Sequence, residues 1–116
     1  MRAVTSGDIR MLARHLTGVR LRDRPDVALR LLERAHVADR YRKRTGKAHG
    51  LWGDGSLAAA IPKASLAGAE TFVADRDHLE AMGDALAAIL CWKDRAARVG
   101  ISSRRFSAGR VFRRQE

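Results

Sequence analysis

Four histidines and one cysteine give this 116-residue chain its widest chemical options. His15, His36, His49 and His78 fall in four different segments. No two of them form the i, i+4 pair that puts two imidazoles on one helix face, and there is no HExxH. Cys91 is the only cysteine, so neither a CxxC zinc site nor an internal disulfide can be built on it. Spacing alone leaves a Cys–His nucleophile open. Cys91 stands in a helical run beside Leu90, however, where a small buried hydrophobe is the ordinary outcome. No serine lies in a GxSxG elbow. Gly46-Lys47 has Tyr41 where a phosphate loop needs glycine and Ala48 where it needs Ser or Thr. Gly53 and Gly55 do not complete a GxGxxG, and no strand precedes them. Asp39, Asp54, Asp75 and Asp77 read as helix-face charges or caps. The expectation is a non-enzyme with no catalytic residue, no metal and no cofactor.

The chemistry that the residue types do favour is polyanion contact. The net charge is +10, from 23 Lys and Arg against 13 acids. Residues 1–46 hold twelve cations against five acids, and 99–116 hold five against one. Residues 76–98 are balanced at four each. Nineteen of the cations are Arg, which a GC-rich genome would also supply, so composition argues about partners and not about fold. The candidate phosphate ligands are Arg20, Arg22, Arg40, Arg42, Lys43, Arg44 and Lys47. Tyr41 lies among them, and interleaved aromatic and basic side chains suit a nucleic-acid strand. The plain alternative has Tyr41 on the flank of the core and the cations facing water.

All-α packing must position these groups. Thr5 or Ser6 can cap a first helix, with Asp8 in its first turn and Ile9, Leu12, Ala13 and Leu16 on one face. Gly18 ends it. A second helix starts near Asp23 or Arg24 with Pro25 in its first turn and runs to Gly46. Val27, Ala28, Leu31, Leu32, Ala35 and Ala38 share one face of it, and Arg30, Glu33, Arg40 and Arg44 the other. GKAHGLWGDGS (46–56) is a glycine-rich connection in which Leu51 and Trp52 should dip into the core. Asp54 or Ser56 can cap the short helix LAAAI, which stops at Pro62. Residues 62–75 read as a linker anchored by Phe72 and Val73.

The third main helix, 77–98, carries the clearest periodicity. Leu79, Met82, Leu86, Ile89, Lys93 and Ala96 recur at spacings of three and four, a heptad seam suited to oligomerisation or to an internal bundle. Leu79, Met82, Leu86, Ile89 and Lys93 are the candidate oligomerisation residues. Asp77 with Glu80 would make its capping box, and Gly100 its stop. The expected organisation is one helical domain over 1–98 and a basic tail over 99–116. In that tail Arg104, Arg105, Arg110, Arg113 and Arg114 could meet a partner, folding on it if at all.

Several classes are set aside by the same residues. No apolar run is long enough to span a bilayer, and the N-terminus has no signal-peptide core. With one cysteine, a cytoplasmic location is the default. A helix-turn-helix reader is disfavoured: the linker is long, the second helix is longer than a recognition helix, and no Asn or Gln on its early turns could read adenine.

The stretch AHVADRYRKRTGKAHGLWGDGSLAAA (35–60) resembles a family of short proteins encoded beside the head genes of alphaproteobacterial gene transfer agents. The likeness rests chiefly on ADRYRKRTGKAH and LWGDGSL, with a helix before and a helix after. The first protein of that cluster is regarded as the small terminase subunit. The resemblance implies a helical, non-catalytic adaptor that forms a homo-oligomeric ring, holds double-stranded DNA with little sequence preference and recruits the large terminase subunit. The seam would then oligomerise, the basic end of the second helix would meet phosphates, and the tail would meet DNA or the motor. No active-site residue is carried over. Two other readings remain: a sequence-specific DNA-binding transcriptional regulator, and a basic protein-binding module of toxin–antitoxin or anti-factor type.

Overall fold

Thr5 sets the first helix. Its backbone is extended, its hydroxyl accepts the Asp8 N–H at 3.2 Å, and its own N–H donates to the Asp8 carboxylate at 2.9 Å. This reciprocal box starts α1 (Ser6–Leu16), which buries Leu12, Ala13 and Leu16. The computed structural model describes residues 2–63 and 75–107, with side chains up to Arg98. Phe72 and Val73, expected as core anchors, lie outside the described residues, as do Arg110, Arg113 and Arg114.

A turn of 3₁₀ helix at Leu21–Asp23 leads into α2 (Arg24–Thr45), with Pro25 in its first turn as expected. Ala28, Leu31, Leu32, Ala35 and Ala38 are buried along it. Gly46 ends it in the left-handed region at φ 77°, with its N–H on the Arg42 carbonyl at 2.7 Å. Asp39, read as a helix-face charge or a cap, lies on the inner side of its helix. It is buried on α2 and ion-paired with Lys43 at 3.1 Å.

The short α3 (Leu57–Ala60) is capped by Ser56, whose hydroxyl accepts the Ala59 N–H at 3.2 Å. Asp8 adds a long-range tie, because its second carboxylate oxygen accepts the Ala58 N–H at 3.1 Å. One buried carboxylate thus serves two helix N-termini fifty residues apart in sequence.

The last helix, α4 (Arg76–Ser107), begins and ends elsewhere than expected. Asp75 is the cap, accepting the Asp77 N–H at 3.1 Å, while Glu80 pairs with Arg76 at 3.5 Å and completes no box with Asp77. The stop expected at Gly100 is absent. A glycine inside a helix costs about 1 kcal/mol relative to alanine, too little to end a helix by itself. The helix therefore runs into the segment read as tail, and its last turns hold Arg104 and Arg105.

α4 packs on both α1 and α2, and α3 closes the far side of α1 and α2. The core is small-sided on α4: Ala81, Ala85, Ala88 and Ile89 are buried, with His78, while Met82 and Trp92 pack at its edge. Leu12, Leu16, Leu32, Leu57 and Ile61 supply the bulk from the other elements. Alanines let α4 approach its neighbours closely, and the larger side chains come from across the contact. Arg24 fixes the start of α2 to α4. Its guanidinium, buried, donates to the Asp84 carboxylate at 3.0 Å and to the Val19 carbonyl at 3.1 Å.

The heptad seam is accordingly split. Ile89 is buried and Met82 half-buried, but Leu79 and Leu86 are 49% and 45% exposed, and Lys93 and Ala96 face solvent. Leu90, beside the seam, is 63% exposed. Cys91 is exposed too, against the reading of a buried hydrophobe, because the register that buries Ala88 and Ile89 turns it outward. Among the described residues there is no strand, and no helix is long and apolar enough to cross a membrane.

Candidate nucleic-acid interface

The cations divide between the two ends of α2. Arg20 and Arg22 lie in the turn before it and are exposed. Arg40, Arg42, Lys43, Arg44 and Lys47 lie at or beyond its last two turns, about 30 Å away at 1.5 Å per helical residue. The structure therefore brings the second group together and leaves Arg20 and Arg22 apart from it.

Within the second group the side chains are not equivalent. Arg40, Arg44 and Lys47 are exposed and make no ion pair among the described residues. Lys43 is exposed but tied to Asp39. Arg42 is half-buried, with a buried Nε that has no hydrogen-bond partner among the described residues. Burial pushes the Asp39 carboxyl up, but the Lys43 ammonium hydrogen-bonded to it and further positive charge nearby hold it net below the ordinary carboxylate value. Lys43 therefore has less free charge to offer a phosphate than Arg40 or Arg44.

An aromatic ladder stands beside these cations. The His49 and Trp52 rings stack at 4.7 Å with planes 4° apart, and Tyr41 meets His49 edge-on at 5.2 Å. Arg34 lies over Trp52 at 5.7 Å and Arg44 over Tyr41 at 5.9 Å. The glycine loop holds the ladder in place. His49 Nδ1 accepts the N–H groups of Leu51 and Trp52, each at 3.1 Å, and the His49 and Gly53 backbones exchange hydrogen bonds at 2.8 and 3.1 Å. Gly53 and Gly55 take φ of 81° and 103°, which makes this tight return possible. The loop tip corrects one expectation. Leu51 is 80% exposed and Trp52 is half-buried against His49 and Arg34, both outside the core, because the turn is closed by the histidine and not by an apolar plug. Tyr41 is half-buried, but against the histidine ring.

A second group of residues gathers one turn back along α2. An open groove of about 850 Å³ runs between the N-terminal segment, α2 and α4, lined among others by Arg2, Glu33, Arg40, Lys93 and Arg95. His36 and Trp92 form its wall, ring centroids 5.6 Å apart and edge-to-face. Arg95 lies over Trp92 at 5.9 Å. Arg40 borders both this groove and the smaller hollow beside Tyr41 and His49, so the two basic-aromatic clusters are continuous. Sequence reasoning missed Arg2, Arg34, His36, His49, Trp52, Trp92 and Arg95. A local signal existed for some of them: His36, Arg40 and Arg44 recur every four residues, and Trp92 and Arg95 are three apart, so each set shares a helix face.

Lys93, assigned to the seam on periodicity, lines this groove. Arg104 and Arg105 follow further along the same helix. No group of three or more His, Cys, Asp or Glu residues that could hold a metal ion occurs among the described residues. Burial lowers the affinity of the His15 and His36 imidazoles for a proton, which favours their neutral forms.

No curated protein and no solved structure matches the chain. A family model does: it covers residues 2–89, from the N-terminal segment through the buried face of α4, and the chain belongs to that family, DUF7742, a domain of unknown function.

Proposed function

We propose that this protein is a non-catalytic, small-terminase-like adaptor, cytoplasmic, that holds double-stranded DNA without sequence preference, associates with copies of itself and recruits the large terminase subunit that packages DNA into phage-like particles. One observation carries the reading. The stretch that resembles the gene-transfer-agent family, residues 35–60, is the same stretch that forms the basic end of α2 and the aromatic ladder. Exposed Arg40, Arg44 and Lys47 can neutralise backbone phosphates, a contact indifferent to sequence.

Self-association has its own support. In a chain of charge +10, the region 76–98 is balanced, and α4 there exposes Leu79, Leu86 and Leu90 in one stripe. Two strongly basic copies repel over most of their surface and can meet at a neutral one. A leucine stripe is self-complementary, as a two-fold interface requires. Oligomerisation multiplies weak phosphate contacts into a useful grip. The large subunit would then engage the end of α4, which holds Arg104 and Arg105, and the arginines that follow in the sequence, Arg110, Arg113 and Arg114.

Gel-shift titration against unrelated duplexes at several salt concentrations tests the reading. Similar affinity for every duplex is expected, with a steep loss as salt rises. The double variant R40E/R44E should weaken binding on all of them and reduce the salt slope by about 0.9 for each phosphate no longer neutralised. A strong preference for one sequence would instead point to a regulator, and no binding at moderate salt would point to a protein-binding module.

A further inference from the structure

The groove between α2 and α4 differs in kind from a duplex-gripping surface. A duplex presents phosphates and stacked base pairs, whose faces are not available to a ring on the protein. The groove offers a ring wall, a cationic rim and a single carboxylate together. We propose that it is a nucleoside-phosphate site, taking one unpaired nucleotide with its base against Trp92 and His36 and its phosphate on Arg40, Lys93 and Arg95.

Each part of the geometry has a counterpart in that ligand. Trp92 is half-buried, packed at the core's edge and braced edge-on by His36, so its orientation is set before a ligand arrives. Burial holds the His36 imidazole below its ordinary value, which favours the uncharged ring and an aromatic wall. Arg40, Lys93 and Arg95 come from two helices and make no ion pair among the described residues. Arg95 lies over Trp92 at 5.9 Å, so it swings off the ring to meet the phosphate as the base takes its place. Arg2, also at the groove, is engaged by Asp54 at 3.3 Å and contributes less. The volume, about 850 Å³, lies within the range of small-molecule sites.

Glu33 gives the site a preference. A carboxylate among cations weakens a plain anion site, which makes it costly unless it meets a donor on the ligand. Cytosine, adenine and guanine offer an exocyclic amino group, whereas thymine offers only its ring N3–H, flanked by two carbonyl oxygens that repel a carboxylate. The occupant is therefore a nucleoside phosphate with an amino-bearing base. It can come from a free nucleotide or from the unpaired end of a DNA strand, and both present the same chemistry. The proposal stands apart from the duplex grip, since it needs an unpaired base and not a continuous backbone.

The test uses the full-length ¹⁵N-labelled protein and its two tryptophan indole N–H signals, assigned with W52F. Titration with dCMP and dGMP should move the Trp92 signal saturably and leave the Trp52 signal in place. Thymidine monophosphate should bind more weakly, and deoxyribose 5-phosphate or inorganic phosphate should not move Trp92 at the same concentrations. R95E, at an exposed position where the fold is not at stake, should weaken dCMP binding by about tenfold or more, the order expected when a hydrogen bond to a charged group is lost. E33Q should bring dCMP and thymidine monophosphate to parity. A duplex with a 5′ cytidine overhang, compared with the blunt duplex, separates the two sources. Movement of Trp92 by the overhang at lower concentration than by free dCMP assigns a strand end, and the reverse assigns a free nucleotide. Equal movement by phosphate alone, a still Trp92 signal, or R95E without effect would each overturn the proposal, whatever the blunt duplex does.

Discussion

Ala85 is fully buried, and Leu86, the next residue along α4, is 45% exposed. The helix thus turns alanines inward and leucines outward along the same turns, with Ala81 and Ala88 inside and Leu79 and Leu90 outside. Burying a leucine gains about 1.5–3 kcal/mol, so a fold that leaves three in water forgoes stabilisation that a second surface could recover. Two substitutions should separate the faces. Leu86→Asp should leave the thermal midpoint almost unchanged in dilute solution and lower the mass measured by light scattering. Ala85→Leu should destabilise the monomer by about 1–3 kcal/mol, because the added carbons have no room where α4 meets α1 and α2. The proposed interface fails if L86D unfolds the chain or leaves its mass as it was.

This inversion also marks how far the sequence could be read. Pro25 and Gly46 were legible as helix boundaries, and Thr5 and Ser56 as one of two candidate caps each, because capping is local: the residue and its partner lie within four positions. The buried face of α2 was legible because its apolar residues have nowhere else to go. The rotation of α4 was not, since the heptad pattern ranks leucine above alanine as core. Which stripe faces inward depends instead on how closely α1 and α2 leave room. The cap at Asp75 was missed for a simpler reason: Asp77 is an equally good capping residue, and only the hydrogen bond from its N–H decides between them. In the candidate site, the arginines of α2 could be read as a class. Their unequal freedom could not, because it turns on Asp39 being buried. Trp92 and Arg95 join Arg40 only through tertiary packing across fifty residues of chain.

Gly55 and Asp39 are in intimate contact. A Cβ added to Gly55 would lie 2.8 Å from the Cα and Cβ of Asp39, and the residue holds φ 103°, a conformation that L side chains rarely adopt. The loop here touches the α2 backbone directly, and its carbonyl accepts the Arg2 N–H at 3.0 Å. Gly55→Ala should therefore cost about 1–3 kcal/mol from backbone strain, with the steric clash adding to it. Gly50→Ala, at a position open to solvent with no positive φ, should change stability by about 0.5 kcal/mol or less. Urea unfolding of the two variants checks the contrast.

His49 acts as the hub of its loop through one nitrogen. Because Nδ1 accepts two backbone N–H groups, the neutral ring must carry its proton on Nε2. His49→Ala removes that acceptor and the stack on Trp52, and should expose the Leu51 and Trp52 amides to exchange. The cost expected is about 1–3 kcal/mol of local stability. His49→Asn puts a carbonyl oxygen close to the position of Nδ1, so it should restore most of the amide protection while leaving Trp52 unstacked. Hydrogen exchange at the two amides reads the first effect, and the Trp52 emission maximum the second. If H49N and H49A exchange alike, the acceptor is not what holds the loop.

Acidification should weaken the fold in two stages. Burial holds the His15 and His36 imidazoles below their ordinary value, so the unfolded chain takes up those protons first. Where the unfolded state binds more protons, stability rises with pH. The loss therefore begins as pH falls through the unfolded histidine value, about 6.5, and is complete below the folded one. The second stage belongs to carboxylates. The Ser56 N–H, and then its hydroxyl, hold the Asp54 carboxyl low, and Asp39 is net lowered by Lys43 against the opposing effect of burial. A lowered carboxyl contributes stability above its unfolded value, about 3.9, and gives it up as pH falls through the folded one. Urea midpoints measured from pH 7.5 to pH 3 should show both steps. In His36→Gln the upper step should shrink, because one of the two protons is gone, and in Asp54→Asn the lower step should shrink while the upper stays. A single transition below pH 4, unaltered by H36Q, would mean that the half-buried His15 and His36 imidazoles are protonated in the native fold at no cost.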